Sequence, residues 1–188
     1  MLLHQHGWET FEAYDFSSVL TKQDQDLAMA DVDKLIAQGR YFKNSPPYQT
    51  TDNVFGLEGT HWLKFKMSFI MSAFMYLGKD VPIKQIQSWT YVTSNKTPQE
   101  DRRSLWHTHQ YGEEHTLSGI YYLHMPDDIT DINTCGTEFA LDGVDGNQRW
   151  ISPVKDFHWV IYPGKTWHRP MPPQSMKDRY VIAVDMVI

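Results

Sequence analysis

The sequence predicts a mainly β protein of the α+β type, a small barrel or jelly roll with two supporting helices near its N-terminus. Apolar residues recur at helical spacing only before Pro82. After Pro82 the chain changes to short apolar runs between turn residues, which is typical of strands. The 188 residues are 41% hydrophobic and 14% aromatic. We therefore expect a single domain over 1–188, with a helical support region at 1–82 and a β core at 83–188.

Two helices are expected in the support region. Thr21 is positioned to cap the first, which runs to about Gln38, and Gly39 suits the position just beyond its end. Thr60 is predicted to cap the second helix, which ends before Gly78. The second helix should pack on the β core through one apolar stripe, formed by Trp62, Phe69, Ala73, Phe74 and Leu77.

The β core is predicted as seven short strands. The breaks between them contain Gly, Pro, Asn and Asp, the residues that favour turns. Seven strands with two leading helices favour a closed or two-layered β architecture that the helices cover on one side. The predicted strands are 83–93, 104–109, 117–124, 137–141, 149–152, 157–162 and 179–188.

Composition excludes several classes of function. The formal net charge of −6 argues against a nucleic-acid partner, which would need a basic face. The single cysteine, Cys135, excludes a disulfide framework and a four-cysteine zinc site. The N-terminus lacks the apolar core of an export signal, and the most apolar stretch, 62–77, is interrupted by lysines. We expect a cytoplasmic protein with no membrane partner, whose oligomeric state the sequence leaves open.

Three histidines are candidate metal ligands. His107 and His109 lie two residues apart in a predicted strand, so both side chains should project from the same face. His168 follows a predicted strand and a Pro-Gly turn that could direct it back across a barrel. Three neutral imidazoles with open positions suit a divalent transition metal. Glu113, four residues after His109, is an alternative carboxylate ligand.

Arg179 begins the last predicted strand and has two interpretations. An arginine at the start of an apolar strand is commonly solvated at the rim of a barrel. The alternative is a bidentate clamp on a carboxylate inside the barrel mouth. Spacing alone does not separate the two.

Taken together, these motifs resemble those of the iron(II)/2-oxoglutarate-dependent dioxygenases, especially the prolyl-hydroxylase-like branch. The segment 106–109 resembles the family's His-x-Asp segment, with His109 where the family has an acidic residue. The strand 119–124 is similar to a Tyr-Leu-Asn strand, and 136–139 to a Gly-Gly-x-Leu turn and strand. The segments that follow in the family's order are 151–153, 162–163, His168 and 179–180.

The resemblance implies a double-stranded β-helix with iron(II) in its mouth. His107 and His168 would bind iron, with His109 or Glu113 completing the site. Arg179 would hold the distal carboxylate of 2-oxoglutarate, and Tyr122 would donate a hydrogen bond to it. The implied reaction hydroxylates a small-molecule or peptidyl substrate and converts 2-oxoglutarate to succinate.

Two other functions remain open at this point. The pattern of His107, His109 and Glu113, with Pro-Gly before His168, is also similar to the two motifs of cupin-type metalloproteins. Such proteins hold a metal without using 2-oxoglutarate, and Arg179 would have no role in them. The third candidate is a non-catalytic barrel that binds a ligand, which the histidine in place of a carboxylate at position 109 would favour.

Overall fold

The structure is a computed structural model that describes residues 11–42, 48–95, 105–110, 115–132 and 135–188. Two α-helices, a 3₁₀ turn and nine strands lie in these ranges. The helices are α1 (Lys22–Ala37) and α2 (Thr60–Leu77), and the 3₁₀ turn is Val54–Gly56. The strands are β1 (Glu12–Asp15), β2 (Tyr48–Gln49), β3 (Gln85–Thr93), β4 (Thr116–His124), β5 (Thr137–Ala140), β6 (Arg149–Ile151), β7 (His158–Pro163), β8 (Trp167–Pro170) and β9 (Arg179–Val187).

Helix α1 begins and ends as the sequence predicts. Thr21 and Asp24 form a reciprocal capping box, in which each side chain accepts a hydrogen bond from the backbone N–H of the other. Gln38 is the C-cap, and Gly39 follows it with a φ of 72°, a left-handed conformation that glycine adopts without steric cost. Local signals therefore define both ends of this helix.

The predicted cap of α2 is wrong. Gly59 is the N-cap residue and Thr60 is already helical. Gly59 has a φ of 132°, and a Cβ at this position would lie 2.4 Å from Cε1 of His61. The chain thus needs glycine at the turn, which moves the cap one residue earlier. The helix ends at Leu77 before the left-handed Gly78, as expected.

The strands form two sheets in the arrangement of a double-stranded β-helix. The larger sheet has six strands in the order β1-β7-β4-β9-β3-β2, and the smaller has three in the order β6-β5-β8. All pairings between strands are antiparallel within the described residues. The support region contributes the two edge strands of the larger sheet, β1 and β2, in addition to its helices.

Six of the seven predicted strands are confirmed with small shifts at their ends. The exception is 104–109, which over 105–110 is an extended segment with one isolated bridge to His168. Sequence reasoning missed β1, β2 and β8. These strands have two to four residues, too few for the alternation that predicts a strand.

Two apolar clusters lie on opposite faces of the larger sheet. The outer cluster joins the sheet to the helices through side chains such as Phe69, Trp159 and Ile182. The inner cluster fills the space between the two sheets with side chains such as Tyr122, Phe139 and Val181. Successive residues of β9 therefore alternate between the helices and the barrel interior. Arg179, Val181, Ala183 and Asp185 share the interior face.

The packing of α2 on β4 is close. A Cβ at Gly119 would lie 2.5 Å from Cε2 of Phe69, so the helix contacts the backbone of the strand directly. Phe69 and Trp62 of the predicted packing stripe are fully buried. Neither helix in the described ranges is long and apolar enough to cross a membrane.

Candidate metal centre

Two segments bring the three predicted histidines together at one end of the barrel. His107 and His109 lie on the extended segment 105–110, and His168 lies on β8. The backbones of His107 and His168 exchange hydrogen bonds, with N···O distances of 3.1 and 3.0 Å. The N–H of His109 donates to the carbonyl of Gly164 at 2.7 Å. A Cβ at Gly164 would lie 3.0 Å from the carbonyl oxygen of His109, so glycine allows this close approach.

The three imidazoles face one another. The ring centroids are 4.3 Å apart for His107 and His168, 4.8 Å for His109 and His168, and 5.0 Å for His107 and His109. One ring nitrogen from each histidine lies within 4.8 Å of those of the other two. Three convergent imidazole nitrogens are a donor set that suits a divalent transition metal.

Each ring is held through its Nδ1 atom. Nδ1 of His107 lies 2.9 Å from the carbonyl oxygen of Leu105, and Nδ1 of His168 lies 2.9 Å from that of Thr166. Nδ1 of His109 lies 2.7 and 2.9 Å from the two carboxylate oxygens of Asp185. These oxygens accept hydrogen bonds only, so Nδ1 bears the proton in each ring and the lone pair is on Nε2. This is the tautomer in which Nε2 binds a metal.

Burial keeps two of the rings neutral. Desolvation, reinforced by the other two histidines, holds the pKa of His168 well below its ordinary value. Desolvation also lowers the pKa of His107, and His109 adds to this effect. A metal binds only the neutral imidazole, so both rings are in the binding form at neutral pH.

Aromatic side chains surround the three rings. Trp89 of β3 stacks on His109 with the centroids 5.4 Å apart, and Phe139 of β5 lies 6.0 Å from His168. The hydroxyl of Tyr162 donates to Nε2 of His168 at 3.2 Å. Burial and the nearby charge of Asp185 raise the pKa of the Tyr162 phenol well above its ordinary value, so this hydroxyl stays protonated. These side chains therefore cover part of His109 and of His168.

Two arginines clamp the residue before His107. The guanidinium carbon of Arg169 lies 4.5 Å from the ring centroid of Trp106, and that of Arg149 lies 5.0 Å away. Arg169 is in turn held by Glu138, whose carboxylate accepts from its Nε at 2.7 Å. These contacts fix the 105–110 segment against β6 and β8.

Arg179 lies inside the barrel, so the interpretation as a solvated rim residue is wrong. Its side chain is 1% exposed. Nη1 donates to the carbonyl oxygen of Cys135, and to that of Met171 at 2.9 Å. Its buried Nε has no hydrogen-bond partner in the described part of the chain. Desolvation lowers the pKa of the guanidinium, which nevertheless remains charged at neutral pH.

Two further residues lie near Arg179. The Tyr122 hydroxyl contacts Ser152 Oγ at 2.5 Å and Thr137 Oγ1 at 3.1 Å, and burial raises the pKa of its phenol. Thr93, which sequence reasoning missed, pairs directly across the strands with Arg179 and has a buried hydroxyl without a partner among the described residues. No sequence signal distinguishes Thr93 from other strand threonines. Glu113, the alternative ligand, lies outside the described residues.

Comparison with known proteins gives the fold. No protein-family model matches the sequence, and no curated protein matches it significantly. AviO1 from Streptomyces viridochromogenes Tue57 is 12% identical, with a TM-score of 0.65 over 95% of this chain and 89% of that one. A prolyl-4-hydroxylase from Pseudomonas putida is 12% identical, with a TM-score of 0.61 over 94% and 91%.

A third similar structure contains bound ligands. The epimerase SnoN, solved with Fe³⁺, α-ketoglutarate (2-oxoglutarate) and nogalamycin RO, is 12% identical with a TM-score of 0.69 over 94% of this chain and 78% of that one. At these identities the likeness establishes the fold. The chain is a double-stranded β-helix of the kind found in 2-oxoglutarate-dependent enzymes and prolyl hydroxylases.

Proposed function

We propose that the protein is an iron(II)/2-oxoglutarate-dependent dioxygenase that hydroxylates a small-molecule or peptidyl substrate and converts 2-oxoglutarate to succinate. The observation on which this proposal depends is Arg179. Its buried guanidinium lies on the interior face of β9, and no carboxylate among the described residues contacts it. The same strand face bears Asp185, which contacts the candidate metal ligand His109.

A buried charge without a counterion is costly. An isolated ion in a protein interior loses its hydration, and carbonyl oxygens replace only part of it. The free Nε and the hydroxyl of Thr93 offer hydrogen bonds that the described protein groups do not use. An anionic ligand with a planar, two-oxygen group would satisfy them and neutralise the charge. The distal carboxylate of 2-oxoglutarate has this chemistry.

The three histidines fit the metal that such an enzyme needs. His107, His109 and His168 would hold iron(II) through Nε2, because their Nδ1 atoms are already bonded to acceptors. At His168 the ion would take the place of the hydrogen bond from the Tyr162 hydroxyl. Iron(II) bound there supplies the redox chemistry for O₂-dependent oxidation of a C–H bond with 2-oxoglutarate as co-substrate. Three neutral ligands leave more positive charge on the ion than two histidines and a carboxylate would, which favours a dianionic co-substrate.

The remaining side chains orient and protect the reactants. Trp89 and Phe139 exclude water from one side of His109 and His168, and the protonated Tyr162 hydroxyl points at the same site. Tyr91 and Ala183 are half-buried on the interior face between the metal centre and Arg179. We propose that substrate enters along this partly open, aromatic surface.

A cupin-type three-histidine metalloprotein is the second candidate. The three convergent histidines favour it, since they form a metal site that does not itself require 2-oxoglutarate. Arg179 argues against it, because a metal site alone leaves the buried guanidinium without a counterion.

One anaerobic titration separates these functions. Iron(II) is added to the purified protein, followed by 2-oxoglutarate, and the weak visible charge-transfer band of the chelate is recorded. The dioxygenase proposal predicts a band that needs both additions. Metal binding without a response to 2-oxoglutarate would favour the cupin-type function instead. If neither metal binding nor a response to 2-oxoglutarate is observed, the non-catalytic barrel is favoured and the proposal is overturned. His158→Ala, a histidine of β7 outside the centre, is the matched control and should behave as the natural protein does.

A further inference from the structure

Asp185 is the one carboxylate among the described residues that contacts a candidate metal ligand. It is 2% exposed and lies on β9, where it pairs with β3 on one side and with β4 on the other. Its two oxygens lie 2.7 and 2.9 Å from Nδ1 of His109. Ser118, its cross-strand partner on β4, donates from Oγ to Oδ1 at 2.7 Å. The carboxylate is thus fixed by the sheet and bonded on two sides.

The three rings differ in what supports them. Neutral carbonyl oxygens accept from Nδ1 of His107 and His168. An anion accepts from Nδ1 of His109, which is therefore the most strongly oriented and the most electron-rich of the three. Two-histidine-one-carboxylate centres obtain their negative charge from a ligand. Here a histidine occupies one of the ligand positions, and a carboxylate lies directly behind it.

We propose that Asp185 is the carboxylate of this metal centre, acting through His109 rather than binding the ion. It holds the imidazole with Nε2 toward the metal and supplies, one ring further away, part of the negative charge that a carboxylate ligand would supply directly. Asp185 is a positioning residue in this proposal. The inference rests on the metal-binding part of the proposed function and is independent of 2-oxoglutarate.

The burial of Asp185 supports this role. A buried carboxylate is retained only where hydrogen bonds or a positive charge compensate its lost hydration. Ser118 and His109 supply two hydrogen bonds. A cation bound at Nε2 of His109 would add an opposite charge nearby. Asp185 should therefore favour the metal-bound form over the metal-free form.

Cobalt(II) affinity tests the proposal without any assay of activity. Cobalt(II) binding is measured by competition with a chromophoric chelator, together with the visible spectrum of the bound ion. Asp185→Asn removes the charge but keeps an acceptor, and Asp185→Ala removes both. Loss of a supporting partner of a metal-binding histidine costs roughly 10- to 100-fold in affinity. We expect the loss of cobalt(II) affinity to lie in the lower part of this range for Asp185→Asn and in the upper part for Asp185→Ala. The visible spectrum of bound cobalt(II) should change in both variants.

A matched control separates stability from metal binding. Asp24 is also a buried carboxylate, bonded to Lys64 and Thr21 at the start of α1. Asp24→Asn should lower the free energy of unfolding but leave cobalt(II) affinity within about twofold. Equal affinity of the natural protein and Asp185→Asn, with cobalt(II) bound to both, would overturn the role of Asp185 and leave the proposed function standing. If the natural protein binds no cobalt(II), the role of Asp185 and the proposed function are both overturned.

A measurement on the natural protein covers the case in which the Asp185 variants do not fold. Nitrogen-15 NMR of the histidine rings, at a pH where they are neutral, identifies the tautomer. The proposal predicts a proton on Nδ1 of His109 and a downfield proton signal from its bond to the carboxylate. A His109 ring with its proton on Nε2 would overturn it.

Discussion

His107 and His168 are far apart in the sequence but form an isolated antiparallel bridge, which has two backbone hydrogen bonds. The bridge places their ring centroids 4.3 Å apart, the shortest separation among the three histidines. One bridge fixes the 105–110 segment less firmly than a full strand would. Its register depends on side-chain contacts as well, above all on those of Trp106.

Replacing Trp106 should weaken the metal centre. Each cation–π contact is worth about 0.5–1 kcal/mol at a partly exposed site, and Trp106 has two. Trp106→Ala should lower cobalt(II) affinity by up to roughly tenfold, since 1.4 kcal/mol corresponds to a factor of ten. Trp106→Phe retains an aromatic face and should lie between this variant and the natural protein. Equal affinities in all three would show that the clamp does not position His107.

Arg179 should determine 2-oxoglutarate affinity. Removing one member of a buried charged pair costs on the order of 2–5 kcal/mol, so Arg179→Ala should lose most of the binding. Arg179→Lys should also bind clearly less well, because an ammonium lacks the planar fork of the guanidinium. Isothermal titration of the iron(II)-loaded protein measures this, with Arg40→Lys as a surface control. Unchanged affinity in both Arg179 variants would remove it from the site.

Tyr122→Phe should affect stability as well as binding. The Tyr122 hydroxyl contacts Ser152 and Thr137, so its removal leaves two buried polar groups with one partner fewer. A net hydrogen bond contributes about 0.5–1.5 kcal/mol, and we expect a loss of this size in urea unfolding. Donation to 2-oxoglutarate predicts a loss of similar size in its affinity. A loss of stability with unchanged affinity would make Tyr122 purely structural.

Asp24 should make the fold sensitive to acid. Burial acts to raise the pKa of its carboxyl, but hydrogen bonds from Lys64 and Thr21 outweigh this effect and hold the pKa below its ordinary value of 3.8. Because the folded pKa is the lower one, the stability that ionised Asp24 contributes is fully present above the pKa of the unfolded chain and is lost as the pH falls through the folded pKa. Between about pH 6 and about pH 3, the free energy of unfolding should fall more steeply for the natural protein than for Asp24→Asn. Asp26→Asn, on the exposed side of the same helix, should keep the steep profile.

Gly119→Ala should destabilise the packing of helix α2 on the larger sheet. The added Cβ would lie 2.5 Å from the ring of Phe69, which is fully buried in the core, so the helix or the ring must shift. Overpacking of this kind costs about 1–3 kcal/mol, measurable as a lower midpoint of thermal unfolding. Gly56→Ala is the control, because nothing lies within 4 Å of its Cβ position. An equal effect of both substitutions would contradict the close packing of α2 on β4.

Local signals predicted the elements that local interactions define. The capping box at Thr21 and the left-handed Gly39 both act within a few residues, and both are confirmed. The four residues of β8 are too few to show alternation, only Trp167 among them favours a strand, and their backbone pairs with β5. Sequence reasoning therefore placed His168 after a strand, when it lies within one.

The sequence predicted which histidines lie together in the candidate site, but not the side chains that surround them. The two-residue spacing of His107 and His109 predicts a shared direction, and in the structure both side chains lie close to His168. The pairing of His109 with Asp185 spans 76 positions, and no local pattern links them. The burial of Arg179 likewise depends on carbonyl groups that distant segments supply.

The first described strand has a protective role that its four residues do not suggest. β1 pairs along β7 from Glu12 to Asp15 and so occupies the free edge of the larger sheet. Without it, the backbone of the apolar β7 would present unpaired donors and acceptors, the template on which chains assemble edge to edge. A protein shortened at this end would thus tend to aggregate through β7, the strand that bears Tyr162, although every candidate metal ligand would still be present.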